Sequence, residues 1–108
     1  MEFKEILVVT AHLRAKQGKE DELRIALEQL VQNCGHHEGL LLYSVHQDTS
    51  DPASFFFYEH YLSEKALKDH LASEELVNAQ PIFNELVDGE ANIETWRMAA
   101  RIGEICQE

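Results

Sequence analysis

His70 lies in Leu67-Lys68-Asp69-His70-Leu71, and helical spacing would set it in one stripe with Ala66, Leu67 and Leu71. An imidazole half withdrawn from water is suited to taking a proton from a hydroxyl near neutral pH. The plainer reading is a helix histidine that hydrogen-bonds the sheet or a turn and only supports packing. Glu59 stands between aromatic neighbours, where a carboxylate orients a histidine or holds a hydroxyl and has its proton affinity reset by its surroundings. The alternative for Glu59 is an ion pair with Arg14 or Arg97. Tyr43, Tyr58 and Trp96 offer flat faces with polar tips, fit to stack on a planar ring, although strand aromatics also fill cores.

Imidazoles on neighbouring strands converge on zinc or iron when strand parity puts them on one face, which makes His12, His46 and His60 one metal candidate. His36-His37-Glu38 is a second. Histidines at a subunit interface or in solvent are the expected alternative, so neither a metal nor a cofactor is expected. Cys34 and Cys106 form no C-x-x-C pair and read as two buried free thiols. There is no G-x-G-x-x-G, Walker A, G-x-S-x-G or H-E-x-x-H sequence, so nucleotide, serine-hydrolase and zincin chemistry lack a motif.

A net charge of -11 over 108 residues sets the chain against phosphate backbones and anionic lipid, which call for clustered Lys and Arg. No apolar run approaches the roughly 18 residues of a membrane span, and Met1-Glu2-Phe3-Lys4-Glu5 leads into a strand without a signal-peptide pattern. A cytoplasmic, single-domain protein is the expectation. A domain of this size buries only about two thirds of its unfolded surface, so a partner subunit would add stability.

The elements that must position these residues follow from periodicity. Between Ile6 and Ala15 the odd positions Leu7, Val9, Ala11, Leu13 and Ala15 are all apolar, giving a strand with one dry face and one mixed face that includes Ile6 and Val8. Gly18 ends it. Acidic Glu20, Asp21 and Glu22 suit a helix N-terminus, and Leu23, Ala26, Leu27, Leu30, Val31 and Cys34 form a stripe closed by Gly35. Leu40 to Gln47 and Ser54 to Tyr61 read as a hairpin across the turn formers of residues 48–53. Ser63 and Ser73 each cap a short helix, and Pro81 breaks or kinks the second. After an Asp88-Gly89 turn, Ala91 to Arg97 forms the last strand of a domain spanning residues 1–97, and residues 98–108 are a tail. The order strand, helix, strand, strand, helix, strand predicts an α+β, ferredoxin-like split βαβ fold with a four-stranded antiparallel sheet and helices on one face. The other face keeps surplus apolar surface, Phe55 and Phe57 or Phe56 and Tyr58 according to the way the third strand faces. A homodimer packed sheet against sheet would bury it.

Four fragments in fixed order carry a more specific signal: Glu38-Gly39-Leu40-Leu41-Leu42-Tyr43, Asp51-Pro52, Phe55-Phe56-Phe57-Tyr58-Glu59 and Leu67-Lys68-Asp69-His70-Leu71. From about Ile6 to Trp96 the chain resembles the antibiotic biosynthesis monooxygenase family, which includes cofactor-independent quinol and polyketide oxygenases. The resemblance implies a dimeric α/β barrel and a substrate pocket between sheet and helices. Matching positions place Tyr43, Phe57, Tyr58 and Trp96 against a small aromatic or quinol-like ligand, with His70 and Glu59 as the catalytic pair. It implies that His70 deprotonates a hydroxyl, leaving an electron-rich anion able to react with O2. The family's haem-degrading branch would need other residues where this chain has Ala11, Tyr61 and Gln80, and its isomerase branch a second histidine where this chain has Glu74 and Glu75. A noncatalytic small-ligand-binding or stress-related dimer, or an isomerase, are the alternatives.

Overall fold

In the computed structural model, which describes residues 6–103, the elements run β1 (Leu7–Arg14), α1 (Glu20–Asn33), β2 (Leu40–Gln47), β3 (Ser54–Tyr61), α2 (Glu64–Leu71), α3 (Glu74–Leu86) and β4 (Asn92–Arg97). Cys106 and the ends of the chain, and with them the expectations for that thiol, for the start of the chain and for the end of the tail, lie outside the described residues. The strands form one antiparallel sheet in the order β2-β3-β1-β4, the ferredoxin-like arrangement that the element order predicts. Among the described residues no helix is long and apolar enough to cross a membrane.

Strand parity decides what each face carries. Val9, Ala11 and Leu13 of β1 pair with Glu59, Phe57 and Phe55 of β3, and this set points at the helices. Leu23, Leu27 and Leu30 of α1 are buried against it, with Leu86 of α3, and form the core. Truncating one of these leucines to alanine costs about 2–5 kcal/mol in a close-packed interior. On the opposite face stand Val8, Thr10, His12, Phe56, Tyr58, His60 and Trp96, none covered by a helix. Every residue of β4 is exposed, because the helical layer stops short of this edge strand.

Helix ends follow local chemistry. Ser63 and Ser73 accept hydrogen bonds from the backbone N–H groups of Ala66 and Leu76, capping α2 and α3 as expected. Helix α1 ends just before Gly35 as expected, though without a left-handed glycine, and Pro81 does not break α3. Helix α1 closes on Cys34, whose N–H reaches the carbonyls of Leu30 and Val31, and Gly35 does not enter the left-handed region. Helix α3 continues through Pro81 to Leu86; the carbonyl that proline leaves unpaired belongs to exposed Val77, on the solvent side where water can replace the lost donor.

Gly39 is the glycine that matters for the site. Its φ of +79° is open to glycine and costly to other residues, and a Cβ there would lie 2.6 Å from the Ala66 side chain. The bare backbone lets the loop between α1 and β2 lie against α2. A register shift between Leu40 and Leu42 then turns Tyr43 toward the helices, opposite Glu59.

Candidate functional site

Between the sheet and α2 and α3 lies a cavity of about 680 Å³. Val9, Ala11, Phe57, Glu59 and Tyr43 form its floor, and His70, Leu67, Leu76 and Phe83 its roof. Exposed Gly89, Glu90, Ala91 and Ile93 form the rim beside β4. Its size suits a ligand of one to a few rings, and its walls are mainly apolar with few polar groups.

Helix α2 carries His70 on the same face as Ala66, and the side chain is 3% exposed. Ser73 Oγ donates to the His70 carbonyl at 2.6 Å while capping α3, so one serine ties the end of α2 to the start of the next helix. The His70 ring meets Tyr43 edge-on, centroids 4.8 Å apart, and Tyr61 at 5.6 Å. Tyr43 in turn stacks on Phe57 at 5.1 Å and 22°. Burial pushes the His70 imidazole down to about 4, a charge on His37 adding to the effect and Glu75 opposing it.

Glu59 is 6% exposed and faces Val9 and Tyr43 across the sheet. Its partner is Tyr61, whose hydroxyl donates to Oε1 at 2.6 Å, and not an arginine: Arg14 points to the other face and pairs with Asp51 at 2.7 Å. Burial raises the Glu59 carboxyl to about 7, against a smaller lowering from the Tyr61 bond.

The structure brings His70, Glu59, Tyr43 and Phe57 to one cavity and sends Tyr58 and Trp96 elsewhere. Successive strand residues point to opposite faces, so Phe57 and Tyr58 cannot share a pocket wall. Trp96 pairs with Val8 on the open face and donates from Nε1 to Thr10 Oγ1 at 3.0 Å. Grouping both with the pocket is thus corrected by pleat parity. His12, His46 and His60 do share the open face, yet His12 and His46 flank Phe56 at one end while His60 lies four residues farther along β3. They do not converge on one ion.

Two residues outside the predicted site reach His70. His37, from the loop after α1, places Nδ1 at 2.9 Å from His70 Nδ1. Glu75, from the first turn of α3, lies 2.8 Å from His37 Nε2 and 3.5 Å from His36 Nε2. In place of the candidate His36-His37-Glu38 grouping, the residues that come together are His36, His37 and Glu75. No periodic signal in the sequence joins positions 37 and 75. Cys34 is fully buried beside His37 and His70, with donor atoms of the three within 4.8 Å of one another. The two imidazole nitrogens already stand at hydrogen-bond distance, so a cation there would have to replace the proton they share. Burial raises the Cys34 thiol to about 11, which keeps it protonated.

Among solved structures, the chain is similar to protein PA3566 of Pseudomonas aeruginosa, with a TM-score of 0.84, 24% identity and coverage of 93% of this chain and 100% of that one. Protein SO0527 of Shewanella oneidensis matches with a TM-score of 0.81, 23% identity and coverage of 88% and 92%. A candidate antibiotic biosynthesis monooxygenase of Deinococcus radiodurans matches with a TM-score of 0.80, 26% identity and coverage of 92% and 98%. At these identities the first two likenesses speak for the fold alone. No curated protein matches the sequence. Residues 6–81, which hold β1 through His70 and the start of α3, match the antibiotic biosynthesis monooxygenase family model, and the chain belongs to that family.

Proposed function

We propose that the protein is a cofactor-independent monooxygenase that oxidises a quinol-like or polyphenolic compound with O2. The observation that carries this reading is the buried imidazole of His70, set edge-on to Tyr43 over an aromatic floor in a cavity of ring size. His70 removes a hydroxyl proton, and the resulting anion passes electrons to O2. For a hydroquinone the overall change is balanced: one oxygen atom enters the ring as a hydroxyl, the other leaves as water, and the product is a hydroxyquinone. The protein contributes desolvation, orientation and deprotonation. Tyr43 and Phe57 hold the ring, and neutral Glu59 offers a hydrogen bond to a second substrate oxygen.

A second copy of the chain is the proposed cover for the open sheet face, where Trp96 is 51% and Leu42 37% exposed. Such a dimer agrees with the family's habit of assembly, and a cytoplasmic setting with the free thiol at Cys34. The test of the reaction is incubation of the protein with a panel of hydroquinones under isotopically labelled O2. A product carrying one labelled oxygen atom supports the oxygenase; conversion with no label and no O2 uptake excludes it.

One observation favours a second reading. The cavity holds an acid raised to about 7 at Glu59 and a base lowered to about 4 at His70, and groups pushed apart in this way suit proton transfer between two positions of one substrate. An isomerase of a hydroxycarbonyl compound would use both. Turnover under strict anaerobiosis separates it from the oxygenase.

A further inference from the structure

Glu75, His37 and His70 form an unbroken hydrogen-bonded line from α3, through the loop after α1, to α2, with steps of 2.8 Å and 2.9 Å. With both imidazoles neutral, the chemistry of its far end sets the direction of each proton. An ionised carboxylate has none to give, and the Glu75 carboxyl is held below its ordinary value chiefly by its bond to His37. His37 Nε2 therefore carries the hydrogen and donates. When His37 is neutral it has only that one N–H, so its Nδ1 is an acceptor and the Nδ1 of His70 is the donor facing it. The single hydrogen of a neutral His70 is then committed to Nδ1. Its Nε2 keeps a bare lone pair, makes no hydrogen bond to any described residue, and belongs to a ring that lines the cavity.

We infer that Glu75 and His37 are positioning residues that hold His70 as its Nδ1–H tautomer, so that Nε2 is presented as a base, and that they carry the abstracted proton away from the cavity. The inference rests on the reading of His70 as the base. In the step, a substrate O–H bond breaks, its electron pair stays on oxygen, and the proton joins His70 Nε2. The hydrogen on His70 Nδ1 passes to His37 Nδ1. One proton has moved from substrate to His37, no electron has moved, and the positive charge rests on an imidazolium against Glu75.

The surroundings explain why the charge would travel. His70 faces Cys34 from the end of α1, Tyr43 from β2, Tyr61 and the cavity-lining Glu59 from β3, and His37 from the loop; Lys68 and Asp69 on its own helix are turned to solvent. None of these is a fixed anion in direct contact with His70. His37 touches one, Glu75, and lies beside the exposed ring of His36, 4.9 Å between centroids, which opens a way to solvent. A charge that would be poorly solvated at position 70 is paired at position 37.

The experiment is nitrogen NMR of histidine-labelled protein near neutral pH, which assigns the tautomer of each ring without any substrate. Expected are the Nδ1–H form at His70 and the Nε2–H form at His37 in the wild type, and a mixed population at His70 in Glu75→Gln. With a hydroquinone that is turned over, Glu75→Gln should lower kcat by about 10- to 100-fold with little change in KM, the scale of losing one element of general base catalysis, and Glu75→Asp should recover part of it. An Nε2–H tautomer at His70 in the wild type overturns the inference whatever the activity. If instead the tautomers are as stated and His70→Gln turns over substrate at the wild-type rate, the base assignment of the proposed function fails on its own.

Discussion

Tyr61 donates its hydroxyl to Glu59 at 2.6 Å from two positions farther along the same strand, so both side chains stand on the helix side of the sheet with no cation in the pair. Spacing of two is what a pleated strand needs to keep donor and acceptor on one face. The bond lets a carboxyl sit among Val9, Tyr43 and Phe57 at 6% exposure.

Stability should carry the signature of that burial. Glu59 is raised from 4.5 to about 7 in the fold, so its contribution is fully present below pH 4.5 and is lost as pH rises through 7, about 3 kcal/mol at 1.36 kcal/mol per unit. His70, lowered from 6.5 to about 4, acts in the opposite sense: its contribution is present above pH 6.5 and is lost as pH falls through 4. The two largely cancel in the wild type. In urea titrations the stability of wild type minus that of Glu59→Gln should therefore fall across pH 4.5–7. A difference that is flat over this window contradicts a buried neutral carboxyl.

Gly39→Ala should destabilise the protein by about 2–4 kcal/mol, since it adds a left-handed backbone penalty to a collision with Ala66 Cβ. Ala66→Gly in the same chain should relieve the collision and leave the backbone penalty. Equal stability of wild type and Gly39→Ala in chemical denaturation would mean that the loop does not press on α2.

Trp96 lies half exposed on the sheet face that no helix covers. If a second copy covers that face, Trp96→Glu should weaken the dimer by about 30-fold or more, the loss of some 2 kcal/mol typical of an interface aromatic. Sedimentation velocity reads this directly. A wild type that sediments as a monomer at micromolar concentration, or a variant as dimeric as the wild type, contradicts a partner on this face.

Much of the frame was legible because it is local. Strands β2 and β3 fall at the expected bounds, Ser63 and Ser73 cap as their residue types predict, and the helical stripe puts His70 on the sheet side of α2. Residues 55–58 hid the facing of β3, since Phe, Phe, Phe and Tyr are apolar at both parities and only the pairing of Phe57 with Ala11 chooses between them. Trp96 was misplaced for the same reason, its side of the sheet being fixed by register with Val8. Neither His37 nor Glu75 could be joined to His70 from sequence: the line runs through three separate elements that only the folded chain brings together. Long-range polar contacts of this kind leave no period to read.

The central claim is that the imidazole roofing the cavity removes the substrate's proton. Comparing O2 consumption by wild type and His70→Ala with the same hydroquinone tests it most directly, with the fold of the variant checked by circular dichroism. A loss of about 100- to 10,000-fold in kcat is the expected result for removal of a general base. Equal rates in a folded His70→Ala protein would contradict the account.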